Sequence, residues 1–348
     1  MKRPAFGIVG APAGTTPGAG PVAGDAAPGF VPRERLRTDC AGPDPAFDTA
    51  AEAARRGDWR AIAAAVPPVD ADPNRHFATL SSVAELAVEE DGWLTAWLDG
   101  APEDANAWCA HAQAMVRLAW RLRTRAPAAD VLPEQAAGFH RVLGQVPAVL
   151  DRATALAPGL VTPWIVRMAC AQGLGWEHDR FGEIWAEVVA RAPHSVAAHE
   201  RALQYWLPRW CGSAERAAAF VAETLDRAAP GRLLTGIGLA YLFLERTPDS
   251  PVAQATFHRG SEVARALDAA LADLAAAPPD HPYRSRHRHW LAYHLTKAGR
   301  YAEAVEEFRA VDGYADAWPW SATTDPAGFL AATRAEALRG VANPAARP

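Results

Sequence analysis

The sequence has very little lysine. Lys2 and Lys297 are its only lysines in 348 residues, and the remaining positive charge is arginine. Beside so much Ala, Pro and Gly, this bias reads as GC-rich coding, so the arginine excess alone is no phosphate signature. A basic balance is missing as well. The formal charge is −5 and the pI about 6.1, which argues against a general binder of nucleic acid or anionic membrane. Cysteine is scarce: Cys40, Cys109, Cys170 and Cys211 form no CxxC pair. That spacing argues against a disulfide framework and against a clustered zinc site. The longest apolar run, Leu233 to Leu244, is far short of the roughly 20 residues that span a bilayer, and glycines interrupt it. Met1-Lys2-Arg3 is a basic start, but Pro4 to Gly20 lacks the apolar core of a secretory signal. The expectation is a cytoplasmic protein with no membrane and no nucleic-acid partner.

Reaction motifs are missing too. The glycines between Gly10 and Gly20 lack the GK[ST] ending and the preceding strand of a phosphate loop. No HExxH, no His-x3-His and no GxSxG occurs. His287 and His289 stand at i and i+2, which point apart on a helix. These absences predict no catalytic residue, no metal and no cofactor.

What is present is helical periodicity. Residues 1–44 are rich in Gly, Pro and Ala and read as a disordered tail. Residues 45–340 carry apolar residues at helical spacing, broken every 10 to 20 residues by Pro, Gly, Asp or Ser. Residues 341–348 read as a second disordered end. The helices come in pairs with repeating punctuation. Pro158, Pro193 and Pro230 each follow an Ala-rich helix end, 35 and 37 residues apart. A two-helix period near 34 is the tetratricopeptide spacing. Long single helices are expected over Pro133–Ala157 and Gln254–Ala275.

The clearest unit is Leu291 to Phe308. Leu291 and Ala292 match a large-small pair on a first helix, Gly299 the turn glycine, and Tyr301, Ala304 and Phe308 the second helix. This segment resembles a tetratricopeptide repeat nearly in full, with Val311 in place of the usual Ala and no closing Pro. Arg56-Gly57-Asp58-Trp59, with Ile62 and Val66, is a weaker copy, and Leu150, Ala153 and Pro158 match only a repeat end. Leu207-Pro-Arg-Trp-Cys-Gly-Ser213, with Phe220, resembles an elbow in an uncharacterised bacterial family of tetratricopeptide-like proteins. Locally it reads as a turn in which Gly212 permits the bend and Ser213 caps the next helix. The resemblance implies an all-α fold: a right-handed α-solenoid of antiparallel helix pairs, with no sheet.

Candidate binding residues come from the first helices of successive pairs, which line the concave face in such stacks. Arg117 and Arg121 are i,i+4 neighbours, Arg167 recurs one repeat later, and His199, Arg209 and Trp210 follow one repeat after that. A ladder of Arg and His suits a carboxylate or acidic peptide, because guanidinium pairs bidentately with carboxylates. The competing reading pairs these charges with neighbouring Glu on the surface. His281 to Trp290, the densest basic stretch, reads as a solvated helix start with Trp290 turned inward. Glu85, Glu89, Glu90 and Asp91 read as a solvated helix end. The resulting expectation is a protein- or peptide-binding scaffold or adaptor and not an enzyme. The alternative is an enzyme, or a regulator binding a small acidic ligand, with its site in the concave groove.

Overall fold

The computed structural model describes residues 29–40, 42–124 and 130–343. The expected tail over residues 1–28 and the end over 344–348 lie outside the described residues. Among those described, all regular structure is helical, and the single β-type pairing is an isolated parallel bridge between Arg37 and Tyr314. No described helix is long and apolar enough to cross a membrane. The chain divides into two compact units: a middle unit, Asp44–Ala217, and a terminal unit, Ala218–Pro348 together with the segment up to Pro43.

The middle unit comprises α1 (Pro45–Arg55), α2 (Trp59–Ala65), α3 (Pro73–Glu89), α4 (Gly92–Gly100), α5 (Ala105–Arg123), α6 (Pro133–Leu143), α7 (Val146–Leu156), α8 (Thr162–Leu174), α9 (His178–Arg191) and α10 (Val196–Trp206). α11 (Ala214–Asp226) lies across the division. Acidic caps start many of these helices. Asp44, Asp58, Asp72 and Asp104 each accept a first-turn backbone N–H, and Ser195 does the same for α10. The single helix expected over Pro133–Ala157 is two helices. Pro147 has no N–H, and its ring would clash with the Leu143 carbonyl four residues back, so α6 ends and α7 begins again. α5 is the centre of the unit. It packs on α3, α4, α6, α7 and α8, and 11 of its 19 residues are buried. Only Leu118 and Leu122 of this helix are exposed.

Four helices of this unit are stitched together at their N-terminal turns. Asn74 of α3 donates to the His194 carbonyl at 3.2 Å and accepts from Val196 N–H of α10 at 2.9 Å. His76 bonds Thr162 Oγ1 of α8 at 3.0 Å and Asn106 Oδ1 of α5 at 2.9 Å. Because a carboxamide oxygen can only accept, His76 donates from Nε2 and takes the threonine proton at Nδ1. Burial holds this imidazole below its ordinary pKa, in keeping with the neutral form that network needs.

The terminal unit contains α12 (Gly236–Tyr241), which runs into one π turn at Leu242–Arg246, then α13 (Pro251–His258), α14 (Ser261–Ala276), α15 (Arg284–Lys297), α16 (Tyr301–Ala310) and α17 (Pro326–Ala342). The expected helix Gln254–Ala275 breaks at Arg259-Gly260, where the poor helix former Gly260 becomes the N-cap of α14. Asp273 of α14 organises the turn before α12. Its buried carboxylate accepts from Gly231 N, Leu233 N and the Thr235 hydroxyl at 2.7, 3.2 and 2.8 Å. The segment Leu291–Phe308 forms a helix, a turn and a helix. Leu291, Ala292 and Ala304 are fully buried and Phe308 nearly so. Gly299 sits at φ +76°, the left-handed conformation that ends a helix.

The basic stretch before Trp290 is not a solvated helix start. His287 and His289 are buried, and Arg284 donates to the Leu274 and Ala277 carbonyls at 2.8 and 2.9 Å. Those carbonyls lie at the C-terminal end of α14, where a cation is favourable. Arg288 pairs with the mostly buried Glu307 at 2.7 Å. Trp290 does face inward. Within the N-terminal segment expected to be a tail, residues 29–40 carry Phe30, Val31 and Leu36 and pack in this unit through Asp312, Gly313, Ala315 and Arg334.

Candidate functional site

The candidate site is a polar seam between α3 and α5. Ser81, Glu85 and Glu89 recur every four residues on α3, and so do Gln113, Arg117 and Arg121 on α5, so each set lies on one helix face. Ser81 Oγ donates to Gln113 Oε1 at 3.0 Å. Glu85 receives Arg117 in a short ion pair and Arg121 at 2.9 Å, and Glu89 receives Arg121 at 2.8 Å. The pairs 81–113, 85–117 and 89–121 are all 32 residues apart, so α3 and α5 run parallel and in register. Arg117 also donates to the Ser81 carbonyl at 2.9 Å, which closes the seam at its inner end. Exposure rises along it, from buried Gln113 and Arg117 to half-buried Arg121 and exposed Glu89.

The remaining sequence-derived candidates lie at other positions in the same unit. Arg167 of α8 donates to Asp151 of α7 at 2.9 Å and lies over the Trp164 ring, which Arg191 also approaches. His199 is buried near the start of α10, bonded to the Ser195 carbonyl and edge-on to Trp185. Burial pushes its imidazole down to about 4, so it is neutral near pH 7. Trp210 packs edge-on against Trp120 near the C-terminal end of α5, with the Arg123 guanidinium beside both rings. Arg209, next to it, is exposed. The structure therefore brings Arg117, Arg121 and Trp210 to the C-terminal half of α5. It places Arg167 in the α7–α8 seam and His199 near the stitched N-terminal end.

The elbow that carries Trp210 is held by backbone. Cys211 N–H bonds to the Tyr205 carbonyl, Trp210 N–H to the Leu207 carbonyl, and the Cys211 carbonyl meets His178 Nε2 at 2.6 Å. Ser213 Oγ accepts from Arg216 N–H at 3.2 Å, the cap expected there.

The Nε–H groups of Arg121 and Arg167 are buried and meet no acceptor. Their side chains are only 23% and 14% exposed, whereas Glu89 and Asp151, which face them, are 42% and 70% exposed. Each guanidinium thus faces one acid more exposed than itself, and Arg121 is held from the inner side by Glu85 as well. Sequence reasoning missed Ser81, Glu85, Glu89 and Gln113 as members of the seam. The constant offset of 32 residues between complementary side chains was the available signal. Among the described residues, no group of three or more His, Cys, Asp or Glu is placed to hold a metal ion. No protein-family model matches the chain, and no curated protein matches it.

Proposed function

We propose that this chain is a protein- or peptide-binding scaffold that takes an acidic segment of its partner on the middle unit. In this reading the helices form a right-handed, tetratricopeptide-like solenoid of antiparallel pairs in the cytoplasm. The observation that carries the proposal is that Arg121 and Arg167, with side chains 23% and 14% exposed, reach the surface beside the more exposed acids Glu89 and Asp151. A guanidinium is a rigid fork of donors that suits a carboxylate. Glu89 and Asp151 are weak competitors, because an exposed ion pair contributes about 0–1 kcal/mol, while the mostly buried Glu85 stays on Arg121. Arg117 has a different role. It is 7% exposed and held against Glu85 and the Ser81 carbonyl, so it supports the seam from inside.

The test is capture of the native partner from cell extract by the wild-type chain and by Arg121→Glu/Arg167→Glu. Reversal of two half-buried charges replaces attraction with repulsion, so the double variant should lose the partner while its circular dichroism spectrum stays helical. Unaltered capture by a folded double variant would remove these two arginines from the site.

A further inference from the structure

Residues Phe30–Arg37 lie on α17 and on the segment 312–325 before it, in the manner of a bound peptide. Arg334 of α17 has a side chain only 3% exposed and pairs with Asp312, which follows α16, at 3.1 Å. A guanidinium and a carboxylate this deeply placed are stable only when their other donors and acceptors are filled. Val31 contributes two backbone groups. Its N–H donates to both Asp312 oxygens at 3.1 and 2.9 Å, and its carbonyl accepts from Arg334 at 3.0 Å. The side chain at 31 is not what this pair reads.

Flanking positions supply the selectivity. The Phe30 ring lies 4.8 Å from the Arg334 guanidinium. Pro32 opens a 3-10 turn over Arg33–Arg35, and Arg33 reaches Asp325 at 2.6 Å. Leu36 is buried. Arg37 then adds one step of parallel β pairing: its N–H donates to the Gly313 carbonyl at 2.8 Å, and Ala315 N–H donates to its carbonyl at 2.7 Å. Backbone bonding for affinity and side-chain pockets for choice are the working parts of a strand-addition site.

We infer that this face of α17 and the segment before it is a peptide-docking site which residues 30–37 occupy in cis. Its ligand in trans is a segment of another protein with the same chemistry: an aromatic residue two positions before a Pro, an Arg directly after that Pro, and an aliphatic residue three positions beyond that Arg. Covalent attachment gives the chain's own segment a high effective concentration, which keeps the site closed until that segment is weakened or outcompeted.

The experiment uses the full-length chain and a fluorescent peptide with the natural sequence of residues 29–40. In the variant Phe30→Ala/Arg33→Glu the cis segment loses two of its anchors while its length is kept. Peptide binding should be roughly tenfold tighter or more to this variant than to wild type. Adding Arg334→Leu should abolish it. Should that triple variant fail to fold, adding Asp325→Asn to the double variant instead keeps the helix cap and removes the charge that Arg33 reads. Binding should then fall for the natural peptide and not for an Arg33→Glu peptide. Equal binding to wild type and the unlocked variant, or none to either, overturns the inference. A wild-type dimer that exchanges residues 29–40 between two copies, seen by light scattering and lost in the unlocked variant, also overturns it. The segment's trans acceptor would then be this chain itself rather than a separate partner.

Discussion

Acidification from pH 7 toward pH 4 is expected to unfold the protein cooperatively. Four buried imidazoles carry the effect. Burial pushes His199, His258 and His287 down to about 4 and His294 to about 3. The charges around them mostly add to this. Lys297 faces His258, His258 faces His294, and His281 and Arg284 oppose the help that Asp273 gives His287. In the unfolded chain each returns to its ordinary value near 6.5, so the unfolded state binds more protons between that value and the folded one. The stability these groups contribute is therefore complete above pH 6.5 and is lost as pH falls toward 4. A displacement of about 2.5 pH units corresponds to about 3 kcal/mol per imidazole. Several of these together rival the about 5–15 kcal/mol that holds a typical domain. Helicity followed by circular dichroism against pH should fall with a midpoint near pH 5. His294→Gln, which can still donate to the Leu239 carbonyl as His294 Nε2 does at 3.1 Å, should move that midpoint lower. A wild-type protein that stays folded at pH 4, or a midpoint that His294→Gln leaves in place, would show that these rings are not dry.

Gly212→Ala should be among the most damaging single substitutions. A Cβ at this position would lie 2.0 Å from the Trp206 carbonyl oxygen and 2.3 Å from its carbon. Both are backbone atoms at the end of α10, so no rotamer change relieves the clash. The elbow that holds Trp210 on Trp120 would have to open. The expected loss is about 3 kcal/mol or more, in the tail of single-residue effects. Gly159→Ala is the control, since a Cβ there meets nothing within 4 Å. Urea unfolding should show a large drop in midpoint for the first and a small change for the second. Matching midpoints for the two variants would mean that the elbow backbone does not approach α10 as described.

Much of the helical content could be read in the sequence where small residues and turn residues mark it. Ala292, Gly299 and Ala304 did so for α15 and α16, and Ser213 did so for the start of α11. The two long helices were overextended for different reasons. Pro147 carries the break in its own chemistry and was readable, whereas Arg259-Gly260 gave only a weak signal. The basic stretch misled because its arginines were judged by charge alone. Arg284 reaches back to the carbonyl end of α14, a tertiary contact that no local pattern contains. Residues 29–40 were masked by the Gly-, Pro- and Ala-rich composition of the segment before them. The arginine candidates were named from the ladder on α5, but their partners on α3 were taken for a solvated helix end. Only the register of the two helices joins Glu85 to Arg117 and Glu89 to Arg121.

The most direct measurement is the affinity of a glutamate-rich peptide, at low salt, for the wild-type chain and for Glu89→Gln/Asp151→Asn. The substitutions neutralise the two more exposed carboxylates, and Glu85 still holds Arg121. Asp48→Asn/Glu52→Gln on α1 makes the same change in net charge away from both arginines. If the two guanidiniums are the docking points, the first variant should bind about tenfold tighter, equivalent to about 1.4 kcal/mol. The α1 control should bind like wild type, and the gain should shrink as salt is raised. Binding by folded Glu89→Gln/Asp151→Asn that is no tighter than the control would contradict a carboxylate site at Arg121 and Arg167.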